Sequence, residues 1–292
     1  MKITITGSLG NIGQHLVTKL VSQKHNVTVV SSSADRKTAI EAAGAQAAIG
    51  SITDTAFLTQ AFTGADAVFV MTPPNMGATD IIRNTAEAGT HYAQAIRNTQ
   101  VPRVVMLSSI GAELENGTGP IAGLHHIENL YAALENTTVT YLRAGYFYTN
   151  FYNDIPLIQN AGIMGSNFPA HTRLPLVHPK DIAQAAAEEL QRTAKGSDIR
   201  YIVSSYVTAT DVTAAFGKAI GKPELPWVVF TDEQAFEGMQ QAGLNAEMAQ
   251  LYTEMGAALR DGKLQHDFEQ RNAPLDGTVT LADFAQEFAR KL

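Results

Sequence analysis

The chain has 292 residues, a formal net charge of −7, 45% hydrophobic and 17% charged residues, and no cysteine. This composition predicts a globular protein of one or two domains and excludes disulfides, thiolate nucleophiles and cysteine-ligated metals. The acidic balance, without a run of Lys and Arg, argues against nucleic-acid binding. The apolar stretches are strand-sized and no signal segment opens the chain, so we expect a cytoplasmic protein without a membrane partner.

The first residues predict a strand, a glycine turn and a helix. A β-branched run from Ile3 to Thr6 ends at Gly7, and Gly10 and Gly13 follow at intervals of three before an apolar helix pattern begins. A helix N-terminus directly after a buried strand presents unpaired N–H groups and partial positive charge, which suits a phosphate. Glycines let a pyrophosphate approach the backbone. We therefore predict a dinucleotide site, although ordinary βα turns also contain glycines.

The second predicted strand, residues 26–30, ends where dinucleotide enzymes recognise the adenosine ribose, with an acid for NAD or a base for NADP. No carboxylate stands at this tip: Ser31 and Ser32 follow the strand, and Arg36 and Lys37 come shortly after. Hydroxyls with nearby bases can hold a 2′-phosphate, although exposed bases in loops are more often only solvated. The pattern therefore favours NADP(H) over NAD(H).

Three more strands are predicted before residue 110, with helices between them. They cover residues 45–49, 67–71 and 103–107. The fourth strand ends in Thr72, Pro73 and Pro74, and the chain must leave the sheet there because proline cannot continue a central ladder. The fifth ends in Ser108 and Ser109, whose hydroxyls can orient a substrate or simply form a turn. Successive βα units imply a doubly wound parallel sheet, covered by helices on both faces.

A sixth predicted strand, residues 139–143, opens into a stretch in which five of nine residues are aromatic. Such density forms either plain core or the wall of a pocket for a flat ligand, and we predict the wall. Beyond a loop rich in proline and glycine at 162–179, a strand at 199–203 is expected to rejoin the sheet. We predict a dinucleotide-binding domain at 1–150 and a smaller, mainly helical, substrate-side lobe at 151–292.

Several segments together resemble the NmrA-like group of atypical short-chain dehydrogenases, and within it bacterial NADPH-dependent quinone reductases and triphenylmethane reductases. They are ITGSLGNIG, GSITDTAFLTQAFTGADAVFVMTPP, VVMLSSIGAE, HIENLYAALENTTVTYLRAGYFYTNF and LPLVHPKDIAQAAAEEL. The resemblance covers residues 1–192 and implies a Rossmann-like fold, a nicotinamide cofactor without metal or flavin, and a small-molecule substrate. The histidines also show no metal-ligand spacing.

The resemblance assigns expected roles to individual residues. The pyrophosphate contacts would come from Gly7, Leu9, Gly10, Asn11, Ile12 and Gly13. The path to the nicotinamide would be lined by Thr72, Pro73 and Pro74, and Ser108 is added to the predicted cofactor contacts. The substrate would be bordered by Tyr146, Phe147, Tyr148 and Asn150. Two departures bear on the cofactor: relatives commonly carry an arginine where this chain has Ser31, and an aspartate where it has Ser51.

Standard short-chain dehydrogenases use a tyrosine with a lysine four residues on, and none of the nine tyrosines here has that partner. Hydride transfer to a quinone-like, electron-poor conjugated acceptor does not need this pair, because the reaction depends mainly on the orientation of the acceptor beside the nicotinamide. Tyr146, Ser109 and His126 are the candidate catalytic residues. Two alternatives remain open: a non-catalytic NADP(H) sensor with a regulatory protein partner, and loss of cofactor binding. The sequence leaves a homodimer equally open.

Overall fold

The structure, a computed structural model, describes residues 1–72, 79–193 and 196–292. Within them the strands are β1 (Lys2–Ile5), β2 (Asn26–Ser31), β3 (Gln46–Ile49), β4 (Ala67–Val70), β5 (Arg103–Ser109), β6 (Thr138–Ala144), β7 (Tyr146–Phe147), β8 (Met164–Ser166), β9 (Arg173–Val177), β10 (Asp198–Ile202), β11 (Ser205–Thr208) and β12 (Trp227–Val229). The helices are α1 (Gly13–Ser22), α2 (Lys37–Ala42), α3 (Thr55–Phe62), α4 (Ile81–Thr99), α5 (Ala122–Ala132), α6 (Ile155–Ala161), α7 (Pro179–Gln191), α8 (Ala209–Ala219), α9 (Asp232–Gln241), α10 (Ala246–Arg260), α11 (His266–Gln270) and α12 (Leu281–Ala289).

Seven strands form one sheet in the order β10-β6-β5-β4-β1-β2-β3. Every neighbouring pair is parallel. The direction of strand order reverses between β1 and β4, and the crevice beyond the carboxyl ends of such strands is where open α/β sheets bind ligands. The predicted Rossmann-like, doubly wound parallel sheet is confirmed, and β10 is the strand that returns to it from the C-terminal half.

The central strands are apolar on both sides because helices cover both faces of the sheet. In β4, Ala67 and Phe69 pack towards α1 and α7, whereas Val68 and Val70 pack towards α3, α4 and α5. All four side chains are buried. This alternation explains why the strand appears in the sequence as a continuous hydrophobic run.

The C-terminal lobe contains two small sheets that the sequence did not reveal. Residues 162–179, expected to be a loop, supply β8, which pairs with β12, and β9, which lies between β11 and β7. Proline and glycine in this segment hide the strand pattern, since Pro175 has no N–H to donate and yet pairs with Tyr206. Contacts between segments distant in sequence therefore decide these strands, while helices still make up most of the lobe.

An aromatic core fills the lobe and joins it to the sheet. The Phe216 and Phe288 rings stack with centroids 4.3 Å apart, and the Tyr148 ring stacks on Phe284 at 5.0 Å.

At the N-terminus of α4, the carboxylate of Glu247 accepts the N–H groups of residues 80 and 81, each at 2.7 Å. Because Glu247 belongs to α10, the lobe caps a helix of the sheet domain. No helix among the described residues is long and apolar enough to cross a membrane.

A second polar tie links the lobe to the sheet through the buried carboxylate of Asp181 in α7. Its oxygens accept hydrogen bonds from the Ser204 hydroxyl at 2.7 Å, the Thr278 hydroxyl at 2.8 Å and the Val279 N–H at 3.0 Å. Burial opposes ionisation of Asp181, but these hydrogen bonds outweigh it and lower the pKa of the carboxyl. The segment that leads into α12 is thereby fixed against α7.

Replacing this carboxylate should loosen the lobe. We expect Asp181→Ala to lower the free energy of unfolding by about 3 kcal/mol, because three buried donors lose a charged acceptor. The loss should shrink as the pH falls through the lowered pKa of Asp181, since the stabilisation exists only while the carboxyl is ionised. Urea unfolding at pH 7 and pH 3 measures both effects. Asp211→Ala, which removes the exposed carboxylate that accepts the Thr208 N–H at the start of α8, should cost only about 1 kcal/mol.

Candidate active site

The glycine turn holds the start of α1 close to the end of β1. Gly7 and Ser8 both have positive φ, at 93° and 58°, so the chain reverses sharply after the strand. A Cβ on Gly7 would lie 2.2 Å from the Met71 sulfur, and a Cβ on Gly13 would lie 2.0 Å from the Ser8 carbonyl oxygen. Both distances are far below contact, so the turn requires glycine at these two positions.

The turn leaves a row of backbone donors open. Within the described residues, no protein acceptor receives the N–H groups of residues 9 to 12, which precede α1. Ile12 occupies the N-cap position and provides no side-chain cap. Open donors at the positive end of a helix dipole are the groups that bind a phosphate or pyrophosphate in proteins. The predicted contact residues Gly7, Leu9, Gly10, Asn11, Ile12 and Gly13 all belong to this turn.

Ser31, at the end of β2, is tied to the turn. Its side chain is buried, and its hydroxyl oxygen accepts hydrogen bonds from the Ser8 hydroxyl at 3.2 Å and from the Ser33 N–H at 3.3 Å. This hydroxyl therefore connects two strand ends. Ser32 and Arg36 are exposed beyond it, and Arg36 has no ion-pair partner among the described residues.

The end of β4 is fixed by its neighbours in the sheet and in α4. The Met71 N–H donates to the Thr6 hydroxyl at 2.9 Å, and the Tyr92 hydroxyl donates to the Met71 carbonyl at 3.1 Å. Burial raises the pKa of Tyr92 to about 12, so this phenol is a permanent donor at neutral pH. Thr72 follows, half-buried, at the crevice. Pro73 and Pro74, predicted to continue the cofactor path, lie outside the described residues.

The two serines at the end of β5 differ in their surroundings. Ser108 is buried and donates its hydroxyl to the Glu128 carboxylate, so its side chain is already engaged. Ser109 is half-buried, and its hydroxyl has no hydrogen-bond partner among the described residues. Of this pair, Ser109 is therefore the one with a hydroxyl free to meet a ligand.

A buried arginine network, which the sequence reasoning missed, underlies this end of the sheet. Arg143 in β6 pairs with Glu128 at 2.7 Å, with Glu113 at 2.9 Å and with Asp267 at 3.2 Å. It also donates to the Tyr201 hydroxyl at 3.0 Å. The sequence did contain a signal for this network: an arginine inside an apolar strand and a glutamate on an apolar helix face must each have a buried partner.

The aromatic stretch after β6 divides into two parts. Tyr148 is fully buried in the lobe core, where its hydroxyl donates to Ser205 at 2.8 Å and burial raises its pKa to about 12. It offers no surface to a substrate in this structure. Tyr146, Phe147 and Asn150 are only partly buried. Phe147 packs against the core of the sheet domain and Tyr146 against that of the lobe, so β7 lies between the two.

The two histidines of α5 have different surroundings. His126 is exposed and lines a groove between α4 and α5 that none of the other predicted site residues lines. His125 is engaged, since its Nδ1 contacts the Ala112 carbonyl at 2.9 Å and its Nε2 contacts Asn129 at 2.8 Å. In the part of the chain that the structure describes, no group of three or more acidic or histidine side chains could hold a metal ion.

The sheet order and the open glycine turn at its switch point define a Rossmann-like α/β protein. A sequence profile of the NmrA-like family matches residues 1–285, so the chain belongs to the NmrA-like family. The expected family is thereby confirmed.

Two characterised relatives match most of the chain. The NAD(P)H azoreductase of Xenophilus azovorans is 24% identical over 258 residues, which cover 87% of this chain and 86% of that protein. The (4-alkanoyl-5-oxo-2,5-dihydrofuran-3-yl)methyl phosphate reductase of Streptomyces griseus is 26% identical over 227 residues, covering 76% and 74% respectively.

Two solved structures share the fold along nearly their whole length. The NADPH-dependent quinone oxidoreductase of Escherichia coli, complexed with NADPH, superposes with a TM-score of 0.81 at 19% identity, over 98% of this chain and 99% of that one. The triphenylmethane reductase of Citrobacter sp., complexed with NADP(H), gives a TM-score of 0.78 at 18% identity, with the same coverage. At these identities the likeness establishes the fold.

The close approach at the glycine turn can be tested through stability. We expect Gly13→Ala to lower the free energy of unfolding by about 1–3 kcal/mol, because the new methyl group collides with the Ser8 carbonyl oxygen. Gly238→Ala is the matched control: it lies in α9 with nothing within 4 Å of an added Cβ, so it should stabilise by up to about 1 kcal/mol. Urea denaturation measures both, and a neutral Gly13→Ala would contradict the geometry.

Proposed function

We propose that this protein is an NADPH-dependent reductase that transfers hydride to a quinone-like or other electron-poor conjugated small molecule. The observation that carries the proposal is the row of N–H groups at residues 9–12, which has no protein acceptor among the described residues and stands between the end of β1 and the start of α1. The relatives support it: one is an NAD(P)H azoreductase, another a reductase of a butenolide-type phosphate, and the structural neighbours reduce quinones and triphenylmethanes with NADPH or NADP(H) bound.

The residues present fit a nicotinamide dinucleotide. The N–H groups of residues 9–12 would hold the pyrophosphate, and exposed Ser32 and Arg36 would meet a 2′-phosphate, with no carboxylate at the β2 tip to repel it. The buried Ser31 hydroxyl would support these contacts indirectly, because it accepts a hydrogen bond from the Ser8 hydroxyl in the glycine turn. Thr72 would border the path to the nicotinamide, followed by Pro73 and Pro74. When bound, the cofactor supplies the hydride.

The chain's own part in the reaction is mainly to orient the acceptor. Tyr146 and Phe147 are partly accessible aromatic residues that would orient a flat acceptor, and Asn150 hydrogen-bonds with Tyr146. The Ser109 hydroxyl, which has no hydrogen-bond partner among the described residues, would donate to a carbonyl or azo group. His126 lines the groove outside α4 and α5, so we assign it no step. Hydride transfer to such acceptors needs alignment more than a strong general base.

Turnover tests the proposal directly. Purified protein mixed with NADPH and a panel of quinones, azo compounds and triarylmethane dyes should oxidise NADPH, followed by its near-ultraviolet absorbance. If calorimetry shows that NADPH binds but no acceptor is reduced, the protein is instead a dinucleotide sensor of the NmrA type. If NADPH does not bind at all, the assignment of the glycine turn is wrong.

Cofactor preference can be tested at Arg36. Removing a cation that meets the 2′-phosphate should cost NADPH affinity about tenfold, the value of one charge-assisted hydrogen bond, and should leave NADH affinity nearly unchanged. Calorimetric titration of Arg36→Ala with both cofactors measures the difference. Arg97→Ala, an exposed arginine on α4, is the control and should change neither affinity. Equal losses for NADPH and NADH in Arg36→Ala would contradict a 2′-phosphate contact.

A further inference from the structure

The segment that leads into α11 packs against the ends of two strands of the sheet. A Cβ on Gly111, just after β5, would lie 2.5 Å from a side-chain carbon of Leu264. The Phe268 ring packs edge-on against the Tyr201 ring of β10, with centroids 5.6 Å apart. These apolar contacts bring α11 to the buried network around Arg143.

This network joins four parts of the chain through one guanidinium. Arg143 in β6 contacts Glu128 in α5 at 2.7 Å, Glu113 after β5 at 2.9 Å and Asp267 in α11 at 3.2 Å, and all four side chains are at least three-quarters buried. Arg271 also pairs with Asp267, but its side chain is 53% exposed. The buried part of the network therefore carries more negative than positive charge when every carboxyl is ionised, and buried charges need partners.

The guanidinium has too few hydrogens for the oxygens around it. Nε and Nη2 of Arg143 donate to the two carboxylate oxygens of Glu128, at 3.1 and 2.7 Å. Nη1 carries two hydrogens, yet three oxygens lie within hydrogen-bonding distance of it. They are Glu113 Oε2 at 2.9 Å, the Tyr201 hydroxyl at 3.0 Å and Asp267 Oδ2 at 3.2 Å. A proton added to one of the carboxyls would remove this shortage.

The two carboxyls that share Nη1 differ in their other donors. Asp267 Oδ2 also accepts the Tyr201 O–H and the Arg271 Nε–H. Burial opposes ionisation of Asp267, but these hydrogen bonds outweigh it and lower the pKa of this carboxyl. Glu113, by contrast, has no side-chain donor other than Arg143 among the described residues. Of the two, Glu113 is therefore the better site for an added proton.

The surroundings of Glu113 also favour its protonated form. Burial is the largest effect and raises its pKa. A hydrogen bond from its own backbone and the charge of Arg143 oppose this shift, whereas the charges of Asp267 and Glu128 add to it. His125 of α5 faces the same segment, since its Nδ1 contacts the carbonyl of the residue before Glu113 at 2.9 Å. The Glu113 side chain is 24% exposed, so it can exchange a proton with water.

We propose that Glu113 binds a proton within this network and that the proton strengthens the attachment of α11 to the sheet. As a neutral acid, Glu113 no longer competes for the hydrogens of Arg143 Nη1, and it brings a hydrogen of its own. As a carboxylate, it shares one nitrogen with the like charge of Asp267, and the repulsion acts against the contact of α11 with the sheet. The lobe is thus attached more firmly at mildly acidic pH than at alkaline pH.

Carbon-13 NMR of the carboxyl carbons follows this proton directly in the full-length protein. The Glu113 signal, assigned by its absence in Glu113→Gln, should titrate above the range of an ordinary glutamate, whose pKa is about 4.3. In Asp267→Asn the like charge is gone, so the Glu113 titration should move to lower pH. A wild-type Glu113 signal that titrates in the ordinary range would overturn the proposal.

Thermal unfolding tests the link between this proton and stability. A carboxyl whose pKa is raised by folding stabilises the fold below its unfolded pKa, and this stabilisation is lost as the pH rises through the folded pKa. Glu113→Gln keeps the shape of the neutral acid at every pH. Wild-type Tm should therefore fall relative to that of Glu113→Gln by about 2–4 °C between pH 4 and pH 8. Glu115→Gln, at an exposed position two residues on, is the control and should follow the wild type.

Hydrogen exchange separates the attachment of α11 from the stability of the whole chain. From pH 5 to pH 8, protection factors in α11 of the wild type should drop by about tenfold more than those in α1, the value of one charge-assisted hydrogen bond. In Glu113→Gln the two helices should change alike. Equal changes in both helices of the wild type, or the same pH dependence in wild type and Glu113→Gln, would overturn the proposal. None of these measurements needs a cofactor or an acceptor, so they are independent of the proposed reductase activity.

Discussion

The contact between α1 and the turn after β1 is the constraint on which the rest of the site depends. A side chain at Gly13 would meet the Ser8 carbonyl oxygen at 2.0 Å, so the helix begins as close to the strand as a backbone allows. Ser8 in turn donates its N–H to the Val30 carbonyl and its hydroxyl to Ser31, which joins β1 and β2 at their tips. The N–H groups of residues 9–12, which lie between the two, have no protein acceptor in the part of the chain that the structure describes.

Buried polar interactions connect the lobe to the sheet domain. Arg143 with its three carboxylates, and Asp181 with its three donors, hold the lobe to the sheet at separate places. Each charge in these ties has partners, as buried charges must.

The sheet domain could be predicted well because its strands are short apolar runs separated by helix patterns. The run at β4 and the glycine turn before α1 needed no knowledge of distant contacts. The small sheets of the lobe could not be predicted, since Pro175 and Gly165 occupy strands that only their neighbours stabilise. In such segments, pairing between residues far apart in sequence outweighs local preference.

The sequence indicated which residues to consider for the candidate site, but not in which direction their side chains point. Tyr146 and Tyr148 are two residues apart, and only the structure shows that Tyr148 turns into the lobe core. Ser31 was expected at the cofactor, and only the structure shows that its hydroxyl accepts a hydrogen bond from Ser8 in the glycine turn.

The most direct measurement is a crystal structure of the protein with NADPH. The account predicts the pyrophosphate within hydrogen-bonding distance of the N–H groups of residues 9–12, the 2′-phosphate near Arg36, and the nicotinamide facing Tyr146 across the crevice. A pyrophosphate bound away from the glycine turn, or a nicotinamide enclosed with no space before Tyr146, would contradict it.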